Sequence, residues 1–141
     1  MIISKTPVRV SFFGGGTDYP DYFNEFGGCV LSTSVNKYIY VTVSKIEGLL
    51  DHKYRIAYSK LELCNHIDEI NHPVVREVIK YLRIEEGLEI NIISDLPART
   101  GIGSSSSFTV GLLHALYALK GVMKSKEQLA HEAIYIEQTV L

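Results

Sequence analysis

A chain of 141 residues and 15.8 kDa, 46% hydrophobic, is long enough for one domain with a real core, able to bury roughly 68% of its unfolded surface. Fourteen Lys and Arg against sixteen Asp and Glu leave a net charge of −2, which excludes a polybasic nucleic-acid arm and a highly charged disordered chain. Cys29 and Cys64, outside any CxxC pair, are too few for a disulfide framework and weigh against a structural zinc site.

The N-terminus, MIISKTPVRVSFFGG, lacks the basic start, long apolar stretch and small-residue cleavage site of a signal peptide. No apolar run approaches the length of a membrane span. The expectation is therefore a soluble, cytoplasmic protein with no membrane or nucleic-acid partner. Residues 5–13 alternate, with Val8, Val10 and Phe12 on one side and Arg9 and Ser11 on the other, which predicts a half-buried strand. Three glycines at 14–16 break it, TDYPDY continues as a polar, aromatic loop, and Gly27 and Gly28 mark another turn. The β-branched and aromatic run from Cys29 to Ile46 predicts two strands or one long strand bent between Ser34 and Lys37. YRIAYS at 54–59 predicts another strand, and the strands should form a mainly antiparallel sheet.

Helical grammar begins near His72. Pro73 suits a first helical position, Val75, Val78, Ile79 and Leu82 follow at i, i+3, i+4, i+7, and Gly87 is placed to stop the helix. LEINIIS at 88–94 is a predicted strand, and 95–103 a loop with Pro97 and two glycines. A second helix should open at the serines, bury Phe108, Leu112, Ala115, Leu116 and Leu119, and end at Gly121. Ser125 followed by Gln128 is a capping-box signature for a third helix, with Leu129, Ala133, Ile134 and Ile136 apolar. The fold class is α+β. His52, His66, His72, His114 and His131 lack metal-site spacing, which favours solvated or capping roles.

The segment ISDLPARTGIGSSSSFTVGLL at 93–113 carries the chemistry. A strand delivers the chain into a Gly-rich loop, and the loop into a helix N-terminus. Gly101 and Gly103 remove side chains so that backbone N–H groups can converge on an anion, and the helix start adds unpaired donors and a positive dipole end. Ser104, Ser105, Ser106 and Ser107 add hydroxyls suited to phosphate oxygens or Mg²⁺. No lysine follows Gly103, so a Walker A loop fails. Ser106 stands where a dinucleotide fingerprint needs Gly or Ala, and GxSxG is absent. Alone, the loop is equally a Gly/Ser-rich turn with an N-cap serine.

Three segments occur together and in order: PVRVSFFGGGTDYPDYF at 7–23, LPARTGIGSSSS at 96–107 and LAHEAIYIEQ at 129–138. The combination resembles the GHMP kinase superfamily, and GGGTD with the glycines at 27–28 resembles its sugar 1-kinase branch, most of all the D-glycero-D-manno-heptose 7-phosphate kinases. The resemblance implies a ribosomal protein S5 domain 2-like fold over residues 1–141, forming an N-terminal ATP-binding domain. It also implies a longer natural chain. The final helical pattern runs to Leu141 without a stop signal, and the family's C-terminal domain and acceptor-activating aspartate would lie beyond it.

What the resemblance implies for function is transfer of the γ-phosphoryl of ATP, with Mg²⁺, to the anomeric hydroxyl of a sugar phosphate. Pro97, Gly101, Ile102, Gly103, Ser104, Ser105, Ser106 and Ser107 match the ATP-phosphate loop, and Ser104, Ser105 and Glu137 match the metal-binding positions. Gly15, Gly16, Thr17 and Asp18 match the segment that meets the acceptor, and Arg9 is the catalytic candidate within this stretch, suited to hold the acceptor's phosphate. Local grammar leaves other readings open: Glu137 as a solvated helix residue, Asp18 as an Asx-turn residue, Arg9 as an exposed strand arginine. Another sugar 1-kinase of the L-fucose type, or a non-catalytic S5-like module, is also left open, as is a homodimer. By itself the 141-residue stretch is expected to bind nucleotide weakly and to turn over very slowly.

Overall fold

The computed structural model describes residues 1–46, 48, 51–97 and 101–141. Five strands form one sheet: β1 (Ile2–Phe13), β2 (Leu31–Lys45), β3 (Tyr54–Ala57), β4 (Leu61–Cys64) and β5 (Leu88–Ser94), in the spatial order β1-β2-β5-β3-β4. β1–β2, β2–β5 and β3–β4 are antiparallel and only β3–β5 is parallel, so the sheet is mainly antiparallel as its composition implies. Among the described residues four α-helices accompany it: α1 (Pro20–Phe26), α2 (Pro73–Tyr81), α3 (Ser104–Leu119) and α4 (Lys126–Tyr135). The α+β class stands. Among the described residues no helix is long and apolar enough to cross a membrane.

Period-two alternation seats the sheet on the helices. Ile39, Val41 and Val43 of β2 and Leu88 and Ile90 of β5 are buried, while Tyr38, Tyr40 and Thr42 keep partial exposure on the other face. Against the buried face lie Val75, Val78 and Ile79 of α2, Leu112, Leu113 and Leu116 of α3, and Leu129 and Ala133 of α4. α3 packs along β1 and β2 and is stitched to β1 by Ser4, whose hydroxyl donates to the Gly111 carbonyl at 2.7 Å. Gly121 closes α3 as expected: its N–H meets the Ala118 carbonyl and the Val122 N–H meets that of Tyr117. The Ser125–Gln128 capping box opens α4, with reciprocal bonds of 3.0 and 3.1 Å.

Several expectations need correction. The first strand starts at Ile2, and Phe12 is exposed, because pairing with β2 shifts register between Ser11 and Phe13. The run from Cys29 to Ile46 is one strand, and its bend falls where expected: Pro7 pairs with Tyr38 but Arg9 with Ser34, an irregularity spanning residues 35–37. The strand expected at 54–59 ends at Ala57, and β4 follows as a hairpin partner four residues long, too short to announce itself by periodicity. TDYPDY leads into α1, a short helix with Pro20 in its first turn and no buried residue, so no apolar stripe betrays it.

Gly87 does not stop α2. That helix ends at Tyr81, with Arg83 in a left-handed turn at φ 50°. Gly87 instead lets β5 start against the 53 position, where a Cβ would lie 2.8 Å from the Lys53 carbonyl oxygen. Ile134 is half exposed, since Leu129, Ala133 and Ile136 define the buried stripe and Ile134 turns off it.

α4 is clamped to the end of α3 by a polar cluster. The Tyr117 hydroxyl donates to Glu132 at 2.6 Å, Lys124 donates to the other Glu132 oxygen at 2.9 Å, and the Lys124 ammonium sits 4.7 Å from the centre of the Tyr117 ring. Burial, followed by the bond and the charge of Glu132, pushes the Tyr117 phenol well above its ordinary pKa. The folded state therefore holds a proton that the unfolded chain gives up near pH ~10. Stability from this source is complete below that pH and is lost as pH rises above it. Urea unfolding should show Tyr117→Phe to be less stable at pH 7 by about 1.5–3 kcal/mol, the range for a bond to a charged group, with a shallower loss of stability than wild type in the alkaline range.

Candidate functional site

β5 ends at Ser94, whose hydroxyl donates to the Leu96 carbonyl at 2.7 Å and so starts the turn that leads through Pro97. Residues 98–100 of the loop lie outside the described residues. The chain re-emerges at Gly101 and enters α3 at Ser104, with Gly103 at the N-cap in a left-handed conformation, φ 69°. Gly103 offers no side chain to cap the helix, so the first-turn N–H groups face outward. Two features favour glycine at this position. The positive φ is one; the other is Arg9, whose Cγ, Nε and Cζ would lie 3.2–3.4 Å from a Cβ there. The Arg9 backbone N–H donates to the Ile102 carbonyl at 3.0 Å, which lashes the loop to β1.

Beyond α4 the helix widens into a π-helical turn, Ile136–Val140, a feature that often marks functional positions. Ile136 is fully buried and anchors the turn. Glu137 consequently points at the first turn of α3. Its carboxylate accepts hydrogen bonds from Ser105 Oγ at 3.0 Å, Ser106 Oγ at 2.9 Å and Thr109 Oγ1 at 3.1 Å. A carboxylate beside a helix N-terminus is also favoured by the dipole.

Two clefts meet at this turn. The first, about 720 Å³, has Gly101, Gly103, Ser104 and Ser105 at one end and Ile39, Val74, Ile92 and Phe108 along its walls. His72 and Tyr58 complete it: the His72 ring stands edge-on to Tyr58, with centroids 5.0 Å apart, and 5.1 Å from Phe108. Behind them the buried Glu62 accepts from Tyr58 Oη at 2.8 Å and from the Asn71 N–H at 2.6 Å. Burial works to raise the Glu62 pKa, but these hydrogen bonds outweigh it and hold the carboxyl below its ordinary value. Glu62 in turn pushes the Tyr58 phenol up. His72 is pushed down by burial, with the Glu62 charge opposing, which favours the neutral imidazole. Among the described residues His72 Nδ1 is buried without a hydrogen-bond partner.

The second cleft, about 700 Å³, is more polar, with Arg9, Thr17, Asp18, Ser106, Glu137 and Gln138 around it and Phe23 and Ile134 on its wall. The Asp18 N–H donates to the Gly15 carbonyl at 3.2 Å, making the 15–18 segment a turn.

Of the residues singled out by sequence, the fold brings Arg9, Gly101, Gly103, Ser104, Ser105, Ser106, Glu137, Thr17 and Asp18 to the two clefts. Gly15 and Gly16 shape the turn without lining a cleft, and Ile102 packs against the core. Ser107 is turned the other way: it is buried and donates to the Pro7 carbonyl at 2.9 Å, so its hydroxyl serves the seating of α3 on β1. Glu137 is not a solvated helix residue. His72, assigned a capping or solvated role by spacing, lies half-buried in the first cleft and its side chain caps nothing. Thr109 and Gln138 were not legible as site residues, although both sit within the motif segments. Tyr58 and Glu62 carried no sequence signal.

The site offers oxygen donors of a kind suited to Mg²⁺, one carboxylate and several hydroxyls, in a number that leaves most positions to phosphates and water. Among the described residues no group of three or more His, Cys, Asp or Glu could hold a metal without such help.

The family model described as the GHMP kinases N terminal domain matches residues 65–141. A D-glycero-alpha-D-manno-heptose 7-phosphate kinase of Campylobacter jejuni is 25% identical over 146 residues, covering 97% of this chain and 43% of that protein. A galactokinase of Thermotoga maritima is 26% identical over 116 residues, covering 79% of this chain and 31% of that one. In structure, a D-glycero-D-manno-heptose 1-phosphate kinase from Bacteroides thetaiotaomicron aligns with a TM-score of 0.84 at 25% identity, over 99% of this chain and 49% of that one. The chain thus spans less than half the length of each of these relatives. With a family model matched over more than half of its residues, the chain belongs to the GHMP kinases.

Proposed function

We propose that this chain binds Mg–ATP and a sugar-phosphate acceptor for transfer of the γ-phosphoryl group to the acceptor's anomeric hydroxyl, the acceptor being D-glycero-D-manno-heptose 7-phosphate. The observation that carries the proposal is the position of Glu137. It sits at the N-terminus of α3, bonded to Ser105, Ser106 and Thr109, where an apolar cleft and a polar cleft meet. A nucleotide has the same division: an apolar, uncharged base and a polyanion. The base belongs between Ile39, Val74, Ile92 and Phe108, with His72 on the wall, and the phosphates belong at Gly101, Gly103 and Ser104. There the outward N–H groups and the helix dipole favour negative charge.

Bound Mg²⁺ would neutralise charge on the phosphates, with Glu137, Ser104 and Ser105 as the residues that hold it. The rest falls to the chain. Catalysis of phosphoryl transfer is mainly positioning and charge stabilisation. Arg9 packs over Gly103 and lines the second cleft, so its guanidinium is placed to hold the acceptor's phosphate or the group in transit. Thr17 and Asp18 are placed to accept and orient sugar hydroxyls. The heptose relatives, at 25% identity, support this acceptor.

Replacing Glu137 by Gln leaves one acceptor oxygen where the carboxylate offers two to the serines, and removes the anionic ligand. Calorimetric titration with AMPPNP should show the Mg²⁺-dependent affinity falling about 10–100-fold, the range for metal-site partners, while metal-free AMPPNP binds no worse than to wild type. Unchanged Mg²⁺ dependence would remove Glu137 from the site. In ³¹P spectra with Mg–ATP and heptose 7-phosphate, the signals expected to grow are those of ADP and of one new phosphate at the anomeric position. Product from L-fucose, and none from the heptose phosphate, would replace the acceptor and keep the kinase.

A further inference from the structure

Two adjacent residues of the π-helical turn reach two different loops. Glu137 holds the first turn of α3 through Ser105 and Ser106, while Gln138 Nε2 donates to the Asp18 carbonyl at 3.3 Å. The acceptor turn is anchored on its other side as well. Thr17 Oγ1 lies 3.4 Å from both the N–H and the carbonyl of Cys29. Gly28 approaches so closely that a Cβ would sit 2.9 Å from the Thr17 carbonyl oxygen. The rim of the second cleft is therefore a chain of contacts from Cys29 through Thr17 and Asp18 to Gln138, and one peptide unit on to Glu137.

We propose that the Glu137–Gln138 pair couples occupancy of the phosphate loop to the geometry of the acceptor turn, with Gln138 as a positioning residue. The inference rests on the nucleotide site proposed above. A serine hydroxyl has one proton to donate. A Ser105 or Ser106 proton given to phosphate is lost to Glu137, and a cation held by Glu137 competes for the oxygens those serines use, so filling the loop changes how Glu137 is held. A carboxylate ligating a divalent cation is held more firmly than one bonded to neutral hydroxyls. The turn at 136–140 then stiffens, and because Gln138 shares a peptide unit with Glu137, its bond to Asp18 stiffens with it. Coupling between sites is reciprocal: an acceptor that engages residues 17–18 tightens nucleotide binding by the same factor.

Hydrogen exchange of the wild-type chain and of Gln138→Met, with and without Mg–AMPPNP, tests this, with binding measured on the same samples by calorimetry. Methionine matches glutamine in length and lacks the donor. In wild type, exchange at residues 15–18 should slow about 5-fold on binding, the low end of typical coupling. In Gln138→Met the nucleotide should still bind and the slowing should vanish, and Gln138→Asn, with the donor on a shorter arm, should recover part of it. Unaltered protection at Val41 and Val43, in the sheet core, reports that each variant is folded. Nucleotide binding with no wild-type response, or with the same response in Gln138→Met, overturns the coupling and leaves the nucleotide site standing. No binding of Mg–AMPPNP by the wild-type chain overturns both.

Discussion

A single carboxylate holds the working end of this molecule together. Glu137 lies at the far end of the chain from β1, yet it accepts three hydroxyl hydrogen bonds from the first turn and a half of α3. Those bonds hold the α3 N-terminus toward α4, as the Ser107 bond to the Pro7 carbonyl and the Arg9 N–H bond to the Ile102 carbonyl hold it to β1. They also fix how α4 continues, since the π-helical turn puts Ile136 in the core and Glu137 over the serines. Each hydroxyl–carboxylate bond adds about 1.5–3 kcal/mol at most. Their greater effect is geometric. They lie where the two clefts meet, with Ser105 lining one and Ser106 and Glu137 the other.

Division of labour between the clefts follows from their chemistry. The first has apolar side chains, a buried Glu62 already satisfied by Tyr58 and Asn71, and a His72 whose burial favours the neutral form. Among the described residues that line it, none is Lys, Arg, Asp or Glu. The second gathers Arg9, Asp18, Glu137 and Gln138, the side chains needed for a hydroxylated, charged ligand. The apolar–polar boundary falls at Gly103, where the left-handed backbone favours glycine and a side chain would press on Arg9. Residues on opposite sides of one turn of helix, Ser105 and Ser106, thus serve different clefts.

Much of this was legible in the sequence, and the failures have physical causes. β5, α3 and its glycine stop, and the Ser125 capping box follow from local rules acting over a few residues, and all are where those rules put them. The serine loop was legible because its chemistry is contiguous. Glu137 was visible only through motif order, since nothing within its own helix distinguishes a glutamate facing Ser105 from one facing water. His72 was misjudged because its surroundings, Tyr58 and Phe108, come from a hairpin and a helix distant in sequence. α1 escaped because it buries no residue, and Ser107 because one step along a helix turns a hydroxyl from cleft to strand.

Replacing Mg²⁺ with paramagnetic Mn²⁺ in an AMPPNP complex, and reading amide signals of the ¹⁵N-labelled chain, tests the central claim most directly. The account requires the strongest broadening at residues 104–106 and at Glu137, with weaker effects at residues 17–18 and at β4, which reaches the first cleft only through Glu62 behind Tyr58. Broadening centred away from the α3 N-terminus, with Glu137 unaffected, would contradict it.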